Sequence, residues 1–165
     1  MSIVVVKTNC RSLLSLASLP ARLAAVFVLA TVFMGAEARA SERWATLEAI
    51  HQLENPQDLH SPGRLGELGA YQFREQTWKL HTAAPFSRAL DRRSSDAVAV
   101  KYYDWIAAQL ERHGIAITPY NVALAWNGGI RAAVYNHPPA AAVDYATRAA
   151  NLAAVFSGAQ IADAR

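Results

Sequence analysis

Leu53-Glu54-Asn55-Pro56, followed after a short loop by Gly66-Glu67-Leu68-Gly69-Ala70-Tyr71-Gln72-Phe73, is the stretch on which the reading of this chain turns. At about 100° per residue, Trp44, Leu47, Ile50, His51 and Glu54 share one face of a helix. Asn55-Pro56 ends that helix, because a proline pushes the residue before it out of helical backbone. Glu54 is thereby a helix-terminal carboxylate in line with apolar neighbours. Ser41 can cap the helix, with Glu42 well placed in its first turn. From Gln57 to Gly66 the charges, Pro62 and the glycines spell a loop. Leu68 to Phe73 reads as a short irregular strand or hairpin arm, in which Gly69 permits close backbone approach.

The rest of the chain is helical in pattern. A short helix is predicted around Trp78, interrupted by Pro85 and the polar cluster near Asp91. A longer one begins at Ser94 or Ser95 and runs to His113, with Gly114 as its stop. Val98, Tyr102, Trp105, Ile106 and Leu110 form its core face. Thr118-Pro119 is an N-cap followed by proline at the first helical position, opening a helix that ends at Gly128-Gly129. A last helix from about Ala140 carries Tyr145, Ala149, Leu152 and Phe156 on one stripe, and the Ala-rich tail reads as a frayed extension. The expected fold is predominantly α, with one short strand or hairpin segment.

Residues 1–40 have the pattern of a secretory signal peptide. Lys7, Arg11 and Arg22 give the positive flank, Leu23 to Ala36 is a short apolar stretch, and Ala38-Arg39-Ala40 supplies a small-x-small cleavage site. That apolar stretch falls short of the roughly 20 residues a membrane span needs, so no stable membrane insertion is expected after cleavage. The location implied is periplasmic or extracellular. Cleavage after Ala40 would remove four of the 16 basic residues and one of the 13 acidic ones, leaving twelve of each. A formally neutral domain gives no support for nucleic-acid binding, which needs a concentrated basic face. Cys10, the single cysteine, lies in the leader, so residues 41–165 must be held by a core rather than by disulfides. Their length suits a single domain.

Glu54 is the first candidate for chemistry. Among apolar neighbours a carboxyl resists ionising, and a retained proton is what a general acid delivers to the leaving oxygen of a glycosidic bond. It could equally be a solvated helix-end carboxylate or the partner of Arg64 or Arg131. Gln72 can donate to and accept from sugar hydroxyls, or tie its loop to the first helix. Asn127 suits a helix C-cap as well as a substrate contact. Tyr145 and Tyr71 suit plain packing as well as a cleft, and Glu67 a local ion pair as well as a second catalytic carboxylate. Trp44, Trp78, Trp105 and Trp126 could stack on sugars, though helical spacing favours core use. The five histidines show no metal-ligand pair, and no nucleophile elbow or phosphate loop is present in the sequence. No metal or cofactor is implied.

Glu54, then Gly66-x-x-Gly69-x-x-Gln72, then Ala125-Trp126-Asn127-Gly128-Gly129, then Tyr145-Ala146 together resemble, in that order, the lysozyme-like soluble lytic transglycosylase domain. The resemblance spans most of residues 44 to 152. It implies a lysozyme-like helical domain that cleaves peptidoglycan glycan strands between N-acetylmuramic acid and N-acetylglucosamine, with Glu54 as acid and then base. Gln72, Tyr71, Asn127 and Tyr145 would contact glycan or orient the glutamate, and the muramic acid 6-hydroxyl would close an anhydro ring. Cell-wall assembly partners would be compatible with it. Five departures stand out. Glu67 replaces the alanine of the family's Gly-Ala-x-Gly, Tyr71 its methionine, Trp126 and Gly128 the tyrosine and second alanine of Ala-Tyr-Asn-Ala-Gly, and Asn55 the serine after the glutamate. Glu67 leaves room for a hydrolytic muramidase using Glu67 or Asp58 on water. A lysozyme-like binding protein without turnover is the non-enzymatic alternative.

Overall fold

In the computed structural model, residues 39–135 and 137–163 are described, and the leader reading lies outside them except for residues 39 and 40. Helix α1 occupies 39–54, so Ser41 stands inside it instead of capping it. Its inward face buries Leu47, Ile50 and His51, whereas Trp44, at 46 % exposure, sits at the rim. The helix ends as Asn55-Pro56 dictates. Asn55 is buried, and its side-chain amide accepts from Leu59 N and donates to the carbonyls of Leu59 and Gly69 at 2.9, 2.9 and 3.3 Å. One side chain thus ties the end of α1 to both the loop and the glycine-rich turn. Asn55→Ala is expected to lower stability by about 1–3 kcal/mol, the cost of stranding buried polar groups, as read by urea denaturation.

The Leu68 to Phe73 segment closes as a hairpin with a single antiparallel bridge between those two residues, each donating to the other at 3.0 Å. Within it Gly69 and Gln72 both take left-handed backbone, at φ 79° and 44°. Helix α2 follows at Glu75–His81, then a 3-10 turn at Phe86–Leu90. Trp78 is fully buried beneath them, its indole donating to Ala84 O at 2.8 Å.

Helix α3 spans Arg92–Arg112, starting two residues before the predicted Ser94. The polar cluster near Asp91 is its cap and not merely a break: Asp91 accepts from Ser94 N at 3.0 Å. Val98, Ile106 and Leu110 are buried as expected, but Trp105 is 42 % exposed, leaning on Tyr102 and the His81 ring at 6.0 and 6.2 Å. Helix α4, Pro119–Gly128, has the Thr118 cap accepting from Asn121 N at 3.2 Å. A five-residue helix, α5 at Ile130–Val134, lies beyond the expected break at Gly129, and α6 runs Ala140–Asp163, so the Ala-rich tail continues a helix.

Small residues set how α6 sits. Ala142, Ala146 and Ala149 pack on Ala123 and Leu124 of α4, and Ala153 joins Ala45 and Ala49 of α1. Alanine faces let backbones approach closely, so α6 is packed on both α4 and α1. The described residues form a mainly α fold whose only strand pairing is the Leu68–Phe73 bridge. Among them no helix is long and apolar enough to cross a membrane.

Candidate active site

The end of α1 and the start of α6 meet at the residue the sequence singles out. The Tyr145 hydroxyl donates to Glu54 Oε1 at 2.8 Å, joining residues 91 positions apart. Burial raises the Glu54 carboxyl above its ordinary range and the charge of Glu67 adds to the rise, while the bond from Tyr145 partly offsets them. Tyr145 is itself pushed well up, first by burial and then by the carboxylate it faces. Among the described residues no cation lies within ion-pair distance of Glu54, so neither Arg64 nor Arg131 is its partner.

Glu67 is the opposite case. The backbone N–H groups of Glu67 itself and of Leu65, the latter at 2.8 Å, hold its carboxyl below the ordinary range. Arg74 lies 3.6 Å away, and the Glu67 side chain is only 16 % exposed. The two carboxyls are therefore shifted in opposite directions by their own surroundings: Glu54 toward the protonated form, chiefly by burial, and Glu67 toward the ionised one, chiefly by backbone N–H groups. That is the asymmetry an acid and its anionic companion need.

Gln72 borders the same turn. Its side-chain amide donates to Gly69 O at 3.0 Å, and a side chain on Gly63 would meet both Gln72 Oε1 and Glu67 Oε2, at 2.5 and 2.7 Å. Gly63 thus leaves the space in which those two side chains converge. Gln72 ties its own turn together, while Asn55, not Gln72, bonds the turn to α1. Asn127 is exposed at the end of α4, just before Gly129 at φ 81°. Its neighbour Trp126 packs on Phe73 and Tyr71 with ring centres 5.7 and 6.0 Å apart, which brings this end of α4 to the hairpin.

Tyr71 corrects the cleft reading. It is 4 % exposed, with its hydroxyl donating to Asp96 Oδ1 at 2.8 Å, so it packs beneath the hairpin and has almost no surface to offer a glycan. Of the tryptophans only Trp78 is fully buried; Trp44 and Trp105 keep large exposed faces. Asn55 was not legible as a site-supporting residue. Its bond to Gly69 O joins residues 14 positions apart, and the one local signal was the substitution of asparagine for serine after the glutamate.

Hollows on the described surface include two lined by residues of α1 or the loop after it, the hairpin and α3. One, of about 460 Å³, is lined in part by Asp58, His60, Gly69, Arg88 and Asp91. The other, of about 260 Å³, is lined in part by Arg43, Trp44, Glu48 and Tyr71. Neither is lined by Glu54, and Arg88 in the larger of the two is already paired with Asp91 at 3.3 Å. Among the described residues no group of three or more histidine, cysteine or acidic side chains could hold a metal ion.

No protein-family model, curated protein or solved structure matches the chain.

Removing the Tyr145 hydroxyl takes away a bond that favours the ionised form of Glu54. In Tyr145→Phe the Glu54 titration is therefore expected to move further up, carrying the alkaline limb of any Glu54-dependent pH profile with it. A lost hydrogen bond to a charged group costs about 1.5 kcal/mol or more, so a loss of roughly tenfold in rate is expected below that limb.

Proposed function

We propose that this protein is a peptidoglycan-cleaving glycosidase of the lytic transglycosylase type, working in the periplasm or outside the cell. The observation that carries the reading is the Tyr145–Glu54 hydrogen bond at a carboxyl whose burial favours the protonated state. In the first step Glu54 gives its proton to the glycosidic oxygen as the bond from the muramic acid C1 to that oxygen breaks, releasing the N-acetylglucosamine hydroxyl. In the second, the C6 hydroxyl of the same muramic acid attacks C1, and its proton passes to the Glu54 carboxylate. The product is a 1,6-anhydro end, and Glu54 is protonated again. Gln72 and Asn127 supply amide groups for sugar hydroxyls and acetamido groups, and Tyr145 orients the acid.

Glu67 supports a second reading. A carboxylate held below the ordinary range near one raised above it can take a proton from water, and water attacking C1 would leave a reducing muramic acid end. The two reactions differ by one water in the product. Digestion of purified sacculi by the protein and by Glu54→Gln, with mass spectrometry of the released muropeptides, decides between them. Anhydro ends made only by the unmodified protein are expected. Hydrated reducing ends would assign a muramidase. Glycan binding with no released fragment would sink both and leave a binding protein.

A further inference from the structure

Arg92 opens α3 and touches three other parts of the fold. Its guanidinium lies 3.4 Å from Glu48 Oε2 and 3.3 Å from both ring nitrogens of His51, all on α1. It lies 3.4 Å from Asp58 Oδ2 in the loop after Glu54, and 2.8 Å from Asp96 Oδ1, which also accepts from the hairpin's Tyr71 hydroxyl. His51, only 4 % exposed, closes the ring, with its two nitrogens 3.3 Å from Glu48 and 3.1 Å from Asp58. The guanidinium also sits over the Tyr71 ring at 5.9 Å. Burial would lower the Arg92 pKa, but Asp96, Tyr71 and Asp58 together carry it above its ordinary value. None of these groups takes part in the steps proposed above. What they share is position: α1 ends in Glu54, the Asp58 loop leads to Glu67, and the hairpin carries Gln72.

We propose that Arg92 is a positioning residue for the Glu54 site, its planar fork fastening α1, the Asp58 loop and the hairpin together so that Glu54 stays covered and Glu67 stays facing it. Arginine suits the post because it makes several directed bonds at once, which a lysine ammonium cannot reproduce in the same geometry. The consequence reaches Glu54 through packing. If the clamp loosens, water reaches the carboxyl and Glu67 moves off, and both changes favour ionisation. The groups facing Glu54 are Tyr145 on α6 and Glu67 beside the hairpin, the latter held in turn by Arg74 and Arg64. The identity of Glu54 as an acid rests on the function proposed above; the clamp's effect on its titration does not.

The test is an NMR titration of the Glu54 side-chain carboxyl in the intact protein, compared among the unmodified chain, Arg92→Gln, Arg92→Lys and Tyr71→Phe. Ile106→Val serves as a core change of ordinary cost that leaves the clamp whole. The expected result is a downward shift of the Glu54 midpoint in Arg92→Gln, a smaller one in Arg92→Lys and Tyr71→Phe, and none in Ile106→Val. Tyr71→Phe removes one hydroxyl and keeps the ring, so it answers the question even where Arg92→Gln does not fold. An unshifted midpoint in every folded clamp variant, or the same shift in Ile106→Val, overturns the proposal. Where sacculi are cleaved, kcat in Arg92→Gln should fall on the order of tenfold to a hundredfold with KM little changed, as misplacement of a catalytic group produces. Absence of cleavage by the unmodified protein would sink the glycosidase reading and leave the titration result standing.

Discussion

Glu54→Gln is expected to cut glycan cleavage by a factor on the order of 10² to 10⁴, the range that removal of a positioned general acid brings. The same variant should be more stable than the unmodified protein at neutral pH. Glutamine keeps the shape and still offers an oxygen to the Tyr145 hydroxyl, but it never ionises. The carboxyl of Glu54 is raised in the folded state, chiefly by burial. Its contribution to stability is therefore fully present below the unfolded-state carboxyl pKa, and is lost as pH rises through the higher folded-state value. Glutamine escapes that loss. Urea denaturation of the two proteins should give nearly equal stabilities at acid pH and a growing advantage for Glu54→Gln toward neutrality. A variant that is instead less stable at neutral pH would make Glu54 a structural anion and remove the ground for calling it an acid.

Some of this was legible in the chain because the signals are local. Asn55-Pro56 ends α1 and Thr118-Pro119 opens α4 through backbone chemistry within a few residues, and the Tyr145, Ala149, Leu152 and Phe156 stripe marks α6 through side-chain spacing. The meeting of Glu54 and Tyr145 was indicated by resemblance and not by periodicity, which shows which face a residue occupies but not what the face meets. Tyr71 was left open between packing and a cleft, and its burial follows from backbone the sequence pattern does not show: two of the four residues between Leu68 and Phe73 take left-handed conformations, where side-chain alternation no longer holds. The Arg92 cluster was invisible because each member reads as an ordinary polar residue of a helix or loop. Arg92 pairs with Asp96 at helical i,i+4 spacing, but its other partners lie 34 to 44 positions away, and no spacing rule reports such pairs.

Gly69→Ala should be among the most damaging single substitutions in the domain, and its neighbour in the motif shows why. Gly69 and Gly66 both take left-handed backbone, at φ 79° and 83°, so alanine at either strains the chain by about 1–2 kcal/mol. At Gly66 the added methyl would meet nothing within 4 Å. At Gly69 it would run into the carbonyl oxygen of Ala89, with the carbonyl carbon at 2.7 Å and Ser95 Oγ at 3.3 Å. That carbonyl belongs to the 3-10 turn and cannot rotate away as a flexible side chain would, so the hairpin must lift from that turn to make room. Overpacking of this kind adds about 1–3 kcal/mol to the strain. The lift also pulls on Gly69 O, where Asn55 and Gln72 are both bonded, and so draws the hairpin from the end of α1. Denaturation should show Gly69→Ala losing about 2–5 kcal/mol and Gly66→Ala about 1–2 kcal/mol. Equal losses would mean that the close approach to Ala89 does not hold the hairpin in place, and that Gly69 serves only its backbone angle.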